Sequence, residues 1–345
     1  MFRQVHQMLP TLAYGDAIGN HVLEIRDLLR AWGYSSEIFA ERWHPRLAKE
    51  CLPFQEYSRF SHPDNLLLWH YSISGEVNRF ALALPDRVVL YYHNITPAHF
   101  LYSVNGELAR QLDEARQGLA ALASRVQAIA GSTFNSQELE GLGFQVLAKV
   151  PSILDFESLD QGARGRAGEG IRRRFGSDGT ADWLYVGRLA PNKCIQDLVK
   201  AFYYYHHWIH PASRLLLVGT GEGMDSYVRD LYRLVTRLDL DGSVAFVGHV
   251  LQDELAAFYQ MASLYVCMSE HEGFCIPLVE AMYYDLPVIA YASTAVPFTM
   301  GDAGVLVHEK DYAAIAETAH ELASNTDLRS RILAGQRTRL RDHGC

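Results

Sequence analysis

The chain has 345 residues, of which 49% are hydrophobic and 21% charged, and a formal net charge of −9. That length exceeds one ordinary core and predicts two domains of roughly 100–200 residues each. The acidic excess is shared by both halves, which argues against a nucleic-acid-binding module and against a general pull toward anionic lipid.

The first helical pattern covers Asn20–Trp32, with Val22, Ile25, Leu28 and Leu29 on one face and Gly33 as its C-cap. Buried strands are predicted at Val88–Tyr92, Val126–Ala130, Trp183–Val186, Leu215–Val218, Val244–Val247, Leu264–Cys267 and Val288–Ala290. Continuous apolar runs of this kind belong to parallel sheets covered on both faces. Asp253–Met261 and Ala313–Ala323 read as further amphipathic helices. Strands alternating with helices predict βαβ units and doubly wound sheets. The alternation breaks at residues 156–182, rich in Gly, Arg and Asp and without an expected strand, where IRRRFG reads as a short helix. The boundary is placed there, giving domains 1–165 and 166–345.

Five cysteines, odd in number and without a CxxC, speak against a disulfide framework or zinc knuckle and fit a reducing, cytosolic compartment. The start MFRQVHQMLPTLAYGD lacks signal-peptide features, and no run approaches the roughly 20 apolar residues of a membrane span. The expectation is a cytoplasmic protein that at most associates weakly with the inner face of a membrane.

Several stretches carry chemistry. In Tyr185–Lys193 (YVGRLAPNK) a strand ends at Gly187, and Arg188 and Lys193 then stand in a loop before a helix at Ile195. Two cations beside a helix N-terminus can clamp a diphosphate, or they are solvated loop residues. Leu215–Gly223 (LLLVGTGEG) runs a strand into a glycine-rich turn at Gly219, and Val244–His249 (VAFVGH) ends a strand at Gly248. Ser269–Met282 (SEHEGFCIPLVEAM) follows a buried strand and opens a helix near Pro277. Glu272 is expected in the loop and Glu280 in the first helical turn, with the amides of Gly273, Phe274 and Cys275 pointing outward between them. Such a loop suits a polyhydroxylated anion, because carboxylates accept from hydroxyls while amides and helix dipole attract phosphate. The alternative is an acidic loop with a helix-stabilising Glu.

In this order and spacing, Gly-Arg-Leu with a Lys five residues after the Arg, LLLVGTGEG, VAFVGH and Glu-x7-Glu closely resemble the family 4 glycosyltransferases. The likeness is strongest over 183–307 and weaker through Gly15–Asn20, His93 and Ser132–Ser136. The resemblance implies the GT-B fold, two facing Rossmann-like domains with a cleft, and retaining transfer of a hexose-type sugar from a UDP- or GDP-sugar. It implies a carbohydrate or lipid-linked acceptor in surface polysaccharide or glycolipid assembly, with no metal required. Arg188 and Lys193 would hold the diphosphate, Glu272 the sugar hydroxyls with help from the Gly273–Cys275 amides, and Glu280 the ribose. Gly187 and Gly219 would line the donor site, and the turn holding Gly248 and Val250 would lie beside the base. Gly19 would offer its amide to the diphosphate, and His93 would face sugar and acceptor, unless it is a structural strand-end histidine. Asp16 and Asn94 are weaker acceptor-side candidates. The alternatives are a non-catalytic nucleotide-sugar-binding subunit and an epimerase of the same fold. Asp239-Leu-Asp241 matches a metal-binding DxD but is expected to be a surface turn, and His206, His207 and His210 to decorate a solvated helix end. Two departures stand out: Cys275 replaces a common Gly, and the expected tail after the last amphipathic helix is short. Oligomeric state is not legible.

Overall fold

The computed structural model describes residues 2–154, 156, 160, 165–176 and 179–343. Chain contacts divide them into two units, Met1–Tyr102 with Gly106–Leu154, and Ser103–Asn105 with Asp155–Cys345. The expected boundary after residue 165 lies beyond this break, and most of the intervening residues are outside those described.

The first unit holds a seven-stranded sheet of β1 (Val5–Leu12), β2 (Ile38–Trp43), β3 (Leu52–Pro53), β4 (Leu66–Tyr71), β5 (Arg87–Tyr92), β6 (Gln127–Ala130) and β7 (Val146–Lys149). The order is β3-β2-β1-β4-β5-β6-β7, with parallel pairs throughout. Helix α1 (Ala17–Ala31) covers it with Val22, Ile25 and Leu29 inward. The predicted start at Asn20 is late because Asp16 caps the helix, its Oδ1 accepting from the Gly19 amide at 2.6 Å. Trp32 is the C-cap, and Gly33 follows at φ +88°, the left-handed position beyond the helix end. Three further helices follow: α2 (Glu76–Ala81), α3 (Gly106–Leu122) and α4 (Thr133–Gly141), the last capped by Ser132.

In the second unit α5 (Arg166–Phe175) is longer than the expected short helix IRRRFG. The unit's six-stranded sheet contains β8 (Ala181–Val186), β9 (Ser213–Val218), β10 (Val244–Gly248), β11 (Leu264–Cys267), β12 (Val288–Tyr291) and β13 (Val305–Val307). Contrary to expectation, 156–182 is not free of strand, since β8 starts at Ala181. The order is β10-β9-β8-β11-β12-β13, again parallel. Between and after the strands lie α6 (Ile195–Tyr204), α7 (Asp225–Arg237), α8 (Gln252–Met261), α9 (Ile276–Tyr283), α10 (Val296–Met300), α11 (Tyr312–Ser324) and α12 (Thr326–Asp342). One core joins Leu215, Leu217, Val266 and Ile289 of the sheet to Ile195, Leu198 and Phe202 of α6 and Ile315 of α11. Helix α12 was not read from its arginine-rich sequence. Its fully buried Gln336 donates to Leu286 O and accepts from the Val288 amide, and Arg329, Arg337 and Arg339 bond to Ser263 O, the Asp285 carboxylate and Thr299 O.

Candidate functional site

In the second sheet the chain winds outward from β8 one way and from β11 the other, so these neighbours flank the switch point. Open α/β sheets bind ligands in the crevice beyond the strands' carboxyl ends at such a point. Both expected loops emerge there, one from β8 through Gly187 to Lys193 and the other from β11 through Met268 to Cys275. Asn192 ties them together, accepting from the Glu270 amide with its carbonyl and donating from Nδ2 to His271 O at 3.2 Å.

The sequence-predicted cation and carboxylate meet directly. Lys193 Nζ lies 2.7 Å from Glu272 Oε2, their side chains only 21% and 9% exposed. Burial pulls the Lys193 ammonium down, but the Glu272 carboxylate together with the neighbouring Cys275 and Cys267 sulfurs outweighs it and the net direction is up. The Glu272 amide donates to Thr294 Oγ1 at 2.9 Å, which orients the loop. Arg188 is exposed and donates to Glu222 O at 3.0 Å, next to the glycine-rich turn.

That turn is built by backbone approach. The Gly219 amide donates to Gly248 O and the Gly187 amide to Val218 O, so three strand ends converge. Gly219 has φ +135°, and a Cβ there would meet Gly187 O at 2.0 Å, so no other residue fits without displacing backbone. Val250 is half-buried beyond Gly248.

Helix α9 begins at Ile276 with Pro277 in its first turn, as predicted. Its N-cap is Cys275 at φ +70°, a left-handed conformation natural to glycine, and Cys275 provides no side-chain cap. Among the described residues the amides of Gly273, Phe274 and Cys275 donate to no protein acceptor. The Cys275 side chain turns inward and is buried.

Glu280 does not occupy the first turn. It is the fifth residue of α9, beyond the reach of a helix-terminus effect, so its expected helix-stabilising alternative falls away. Instead it is buried, accepts from Tyr259 Oη at 2.6 Å, and has its carboxyl pushed up to about 7 by burial. Tyr259 was not anticipated, because its position on α8 gives no local signal.

In the first unit His93 follows β5, half-buried, stacked on Tyr91 and His70 at 4.7 and 5.0 Å. The buried Gln7 donates from Nε2 to Val22 O, which points its Oε1 at His70 Nε2, 3.0 Å away. His70 therefore carries its proton on Nε2 and accepts at Nδ1 from His93 Nε2, 2.7 Å distant. Burial first, then the neighbouring imidazoles His70 and His21, holds His93 well below its ordinary range. Gln7, His70 and His21 escaped the sequence reading because nothing local links three elements.

Other expected residues serve structure. The Gly19 amide is already taken by Asp16, and a Cβ at Gly19 would meet Ala13 O at 2.2 Å. The Asn94 side chain, at φ +79°, donates to Asn135 Oδ1 and Glu138 Oε2. Asp239 and Asp241 lie in an exposed turn after α7, with Asp241 accepting from Thr236. His206 is not a solvated end residue. It is half-buried in a π-helical turn and bonded through both nitrogens to Ser213 and Ser243 hydroxyls.

Two doubly wound parallel sheets, the second with paired cation and carboxylate at its switch point, define the GT-B class. Residues 169–339 match the model of the glycosyl transferases group 1. It is 33% identical over 154 residues to O-antigen chain mannosyltransferase B of Escherichia coli, covering 45% of this chain and 39% of that one. It is 31% identical over 191 residues to mannosylfructose-phosphate synthase of Agrobacterium fabrum, covering 48% and 42%. The matches thus span about two fifths of these relatives' length. The fold resembles sucrose-phosphate synthase from Thermosynechococcus elongatus, with TM-score 0.77 and 21% identity over 99% of this chain and 94% of that one. It also resembles Anabaena HepE solved with UDP and glucose, with TM-score 0.72 and 19% identity over 98% and 95%. Among the described residues no helix is long and apolar enough to cross a membrane.

Proposed function

We propose that this chain transfers a hexose-type sugar from a UDP- or GDP-sugar to a carbohydrate or lipid-linked acceptor, with retention at the anomeric carbon. One observation carries the reading: Lys193 and Glu272 pair at 2.7 Å beyond the carboxyl ends of β8 and β11. A nucleoside diphosphate sugar offers what such a pair can hold, an anionic diphosphate for Lys193 and Arg188 and vicinal hydroxyls for Glu272. The unengaged amides of Gly273–Cys275 suit the same ligand. Glu280, at the edge of ionisation, is the ribose partner. As the glycosidic bond breaks, charge grows on the leaving phosphate, and pre-placed cations stabilise it without reorganising. His93 serves the acceptor side.

The chain's own groups suffice for this charge stabilisation, and metal independence is part of the proposal. Melting temperatures measured against a panel of nucleotide sugars identify the donor, because a ligand that binds the native state raises the transition. Transfer with that donor, in chelator, with product configuration read by proton NMR, then tests activity and stereochemistry. Donor binding without transfer or hydrolysis under any acceptor would replace the enzyme by a nucleotide-sugar-binding subunit, and a recovered epimeric donor would point to an epimerase.

A further inference from the structure

Three side chains converge beneath the β11–α9 loop that the sequence spacing did not bring together. Cys267 ends β11, Cys275 caps α9, and Glu272 stands between them; all are buried. Their two Sγ atoms and a carboxylate oxygen all lie within 4.8 Å of one another. A zinc-type cation makes bonds of about 2.3 Å to thiolate and about 2.0–2.2 Å to carboxylate, which holds its donors roughly 3.6–3.8 Å apart. The observed convergence therefore needs only small side-chain movement. We propose that Cys267, Cys275 and Glu272 form a site for a thiophilic divalent cation such as Zn2+, and that filling it withdraws Glu272 from Lys193.

The chemistry balances. Each thiol loses its proton to solvent as its sulfur–metal bond forms, and the carboxylate exchanges the Lys193 ammonium for the cation. The anionic charge of two thiolates and a carboxylate is then matched by the dication together with Lys193. Paired thiolates select zinc-like cations over magnesium, which prefers oxygen. A second convergent group, Cys194, Asp197 and Glu270, lacks this potential. Lys310 already holds both its carboxylates at 2.7 Å, leaving a single thiol. The site also gives a role to the departure at position 275, where a left-handed backbone would favour glycine.

The probe is Co2+, titrated into the reduced, metal-free full chain and followed by the thiolate-to-cobalt charge-transfer band. The band should saturate at one equivalent, yield to Zn2+ and ignore excess Mg2+. Cys267→Ala and Cys275→Gly, with folding checked by circular dichroism, should each weaken cobalt binding by more than the ~10–100-fold that loss of an outer-shell partner costs. Cys194→Ala should leave the band intact. Absence of the band in the wild type, or its survival in both thiol variants, overturns the site. The coupling to activity rests on the proposed transfer: Zn2+ should inhibit wild-type transfer reversibly by chelator, and Cys267→Ala should transfer normally without zinc sensitivity. Saturating Zn2+ with undiminished transfer overturns the coupling, whereas a chain inactive in every condition fails the transferase reading alone, since the cobalt spectrum needs no turnover.

Discussion

Helices α1 and α9 follow strands that flank the switch points of their sheets, β1 in the first unit and β11 in the second, yet their N-termini differ. In α1 the Asp16 carboxylate takes the Gly19 amide, so that donor is capped by a side chain. In α9 the cap is a cysteine in a left-handed backbone, without a side-chain bond, and the amides before it donate to no described protein group. The buried ionisable groups differ as well. The first unit holds imidazoles lowered chiefly by desolvation, the buried His21 and His70 and the half-buried His93. The second buries a carboxyl pushed up to about 7 and a lysine–carboxylate pair. One architecture thus has a side-chain-capped helix N-terminus beside one switch point and an uncapped one beside the other. An uncapped terminus is what a ligand needs, because an amide already bonded must break that bond before it can bind.

The sharpest break would come from Lys193→Ala. Turnover should fall by on the order of 10²-fold or more, as when a transition-state charge contact is lost. Breaking the pair also strands Glu272 in a largely buried place, costing about 3 kcal/mol of stability. Near-wild-type rates would remove the cation from the mechanism.

Opposite pH responses come next. His21 is lowered from 6.5 to about 4 by burial. A base with a depressed folded pKa contributes stability above its unfolded value that is lost as pH falls toward the folded one. The first unit should therefore lose about 3 kcal/mol between pH 6.5 and 4 on His21 alone. Glu280 is raised from 4.5 to about 7, so its contribution is present below pH 4.5 and lost as pH rises through 7. Glu280→Gln should stabilise the ligand-free protein above pH 7 by about 3 kcal/mol, with the gain vanishing below pH 4.5. Hydrogen exchange corrected for intrinsic rates, read on peptides of each unit, checks both signs; parallel trends in the two units would end the contrast.

The carboxylates should also part in binding. Glu280→Gln should weaken the free nucleoside diphosphate by roughly 1.5–3 kcal/mol, while Glu272→Gln leaves that affinity nearly intact and impairs transfer. Calorimetry with the matching diphosphate decides, and the reverse pattern would exchange the two roles. The smallest effect is at the capped terminus. Asp16→Ala should cost about 1 kcal/mol of melting stability as a lost N-cap, and a large loss of nucleotide binding there would show that the first terminus is no mere cap.

The sequence by itself determined the alternation of buried runs and amphipathic helices, and hence parallel, doubly wound sheets. It also determined the loops that follow β8, β9, β10 and β11, because a glycine at a strand end and a proline opening a helix act through local backbone geometry. For the same reason it placed Arg188, Lys193 and Glu272 between a strand and the next helix, and Glu280 on a helix. The start of α9 near Pro277 was legible, yet the expectation put Glu280 one turn too early, since it is the fifth helical residue. Only tertiary structure decided that Lys193 lies against Glu272, that Tyr259 holds Glu280, and that Gln7 orients His70 and through it His93. It also decided that Cys267 and Cys275 converge. Each of these links joins different secondary-structure elements or the two ends of one loop, and such distances are set by strand order and helix packing. Burial decided the charge states in the same way: the cost of taking an ion from water depends on what surrounds it, and neighbours distant in the chain supply those surroundings.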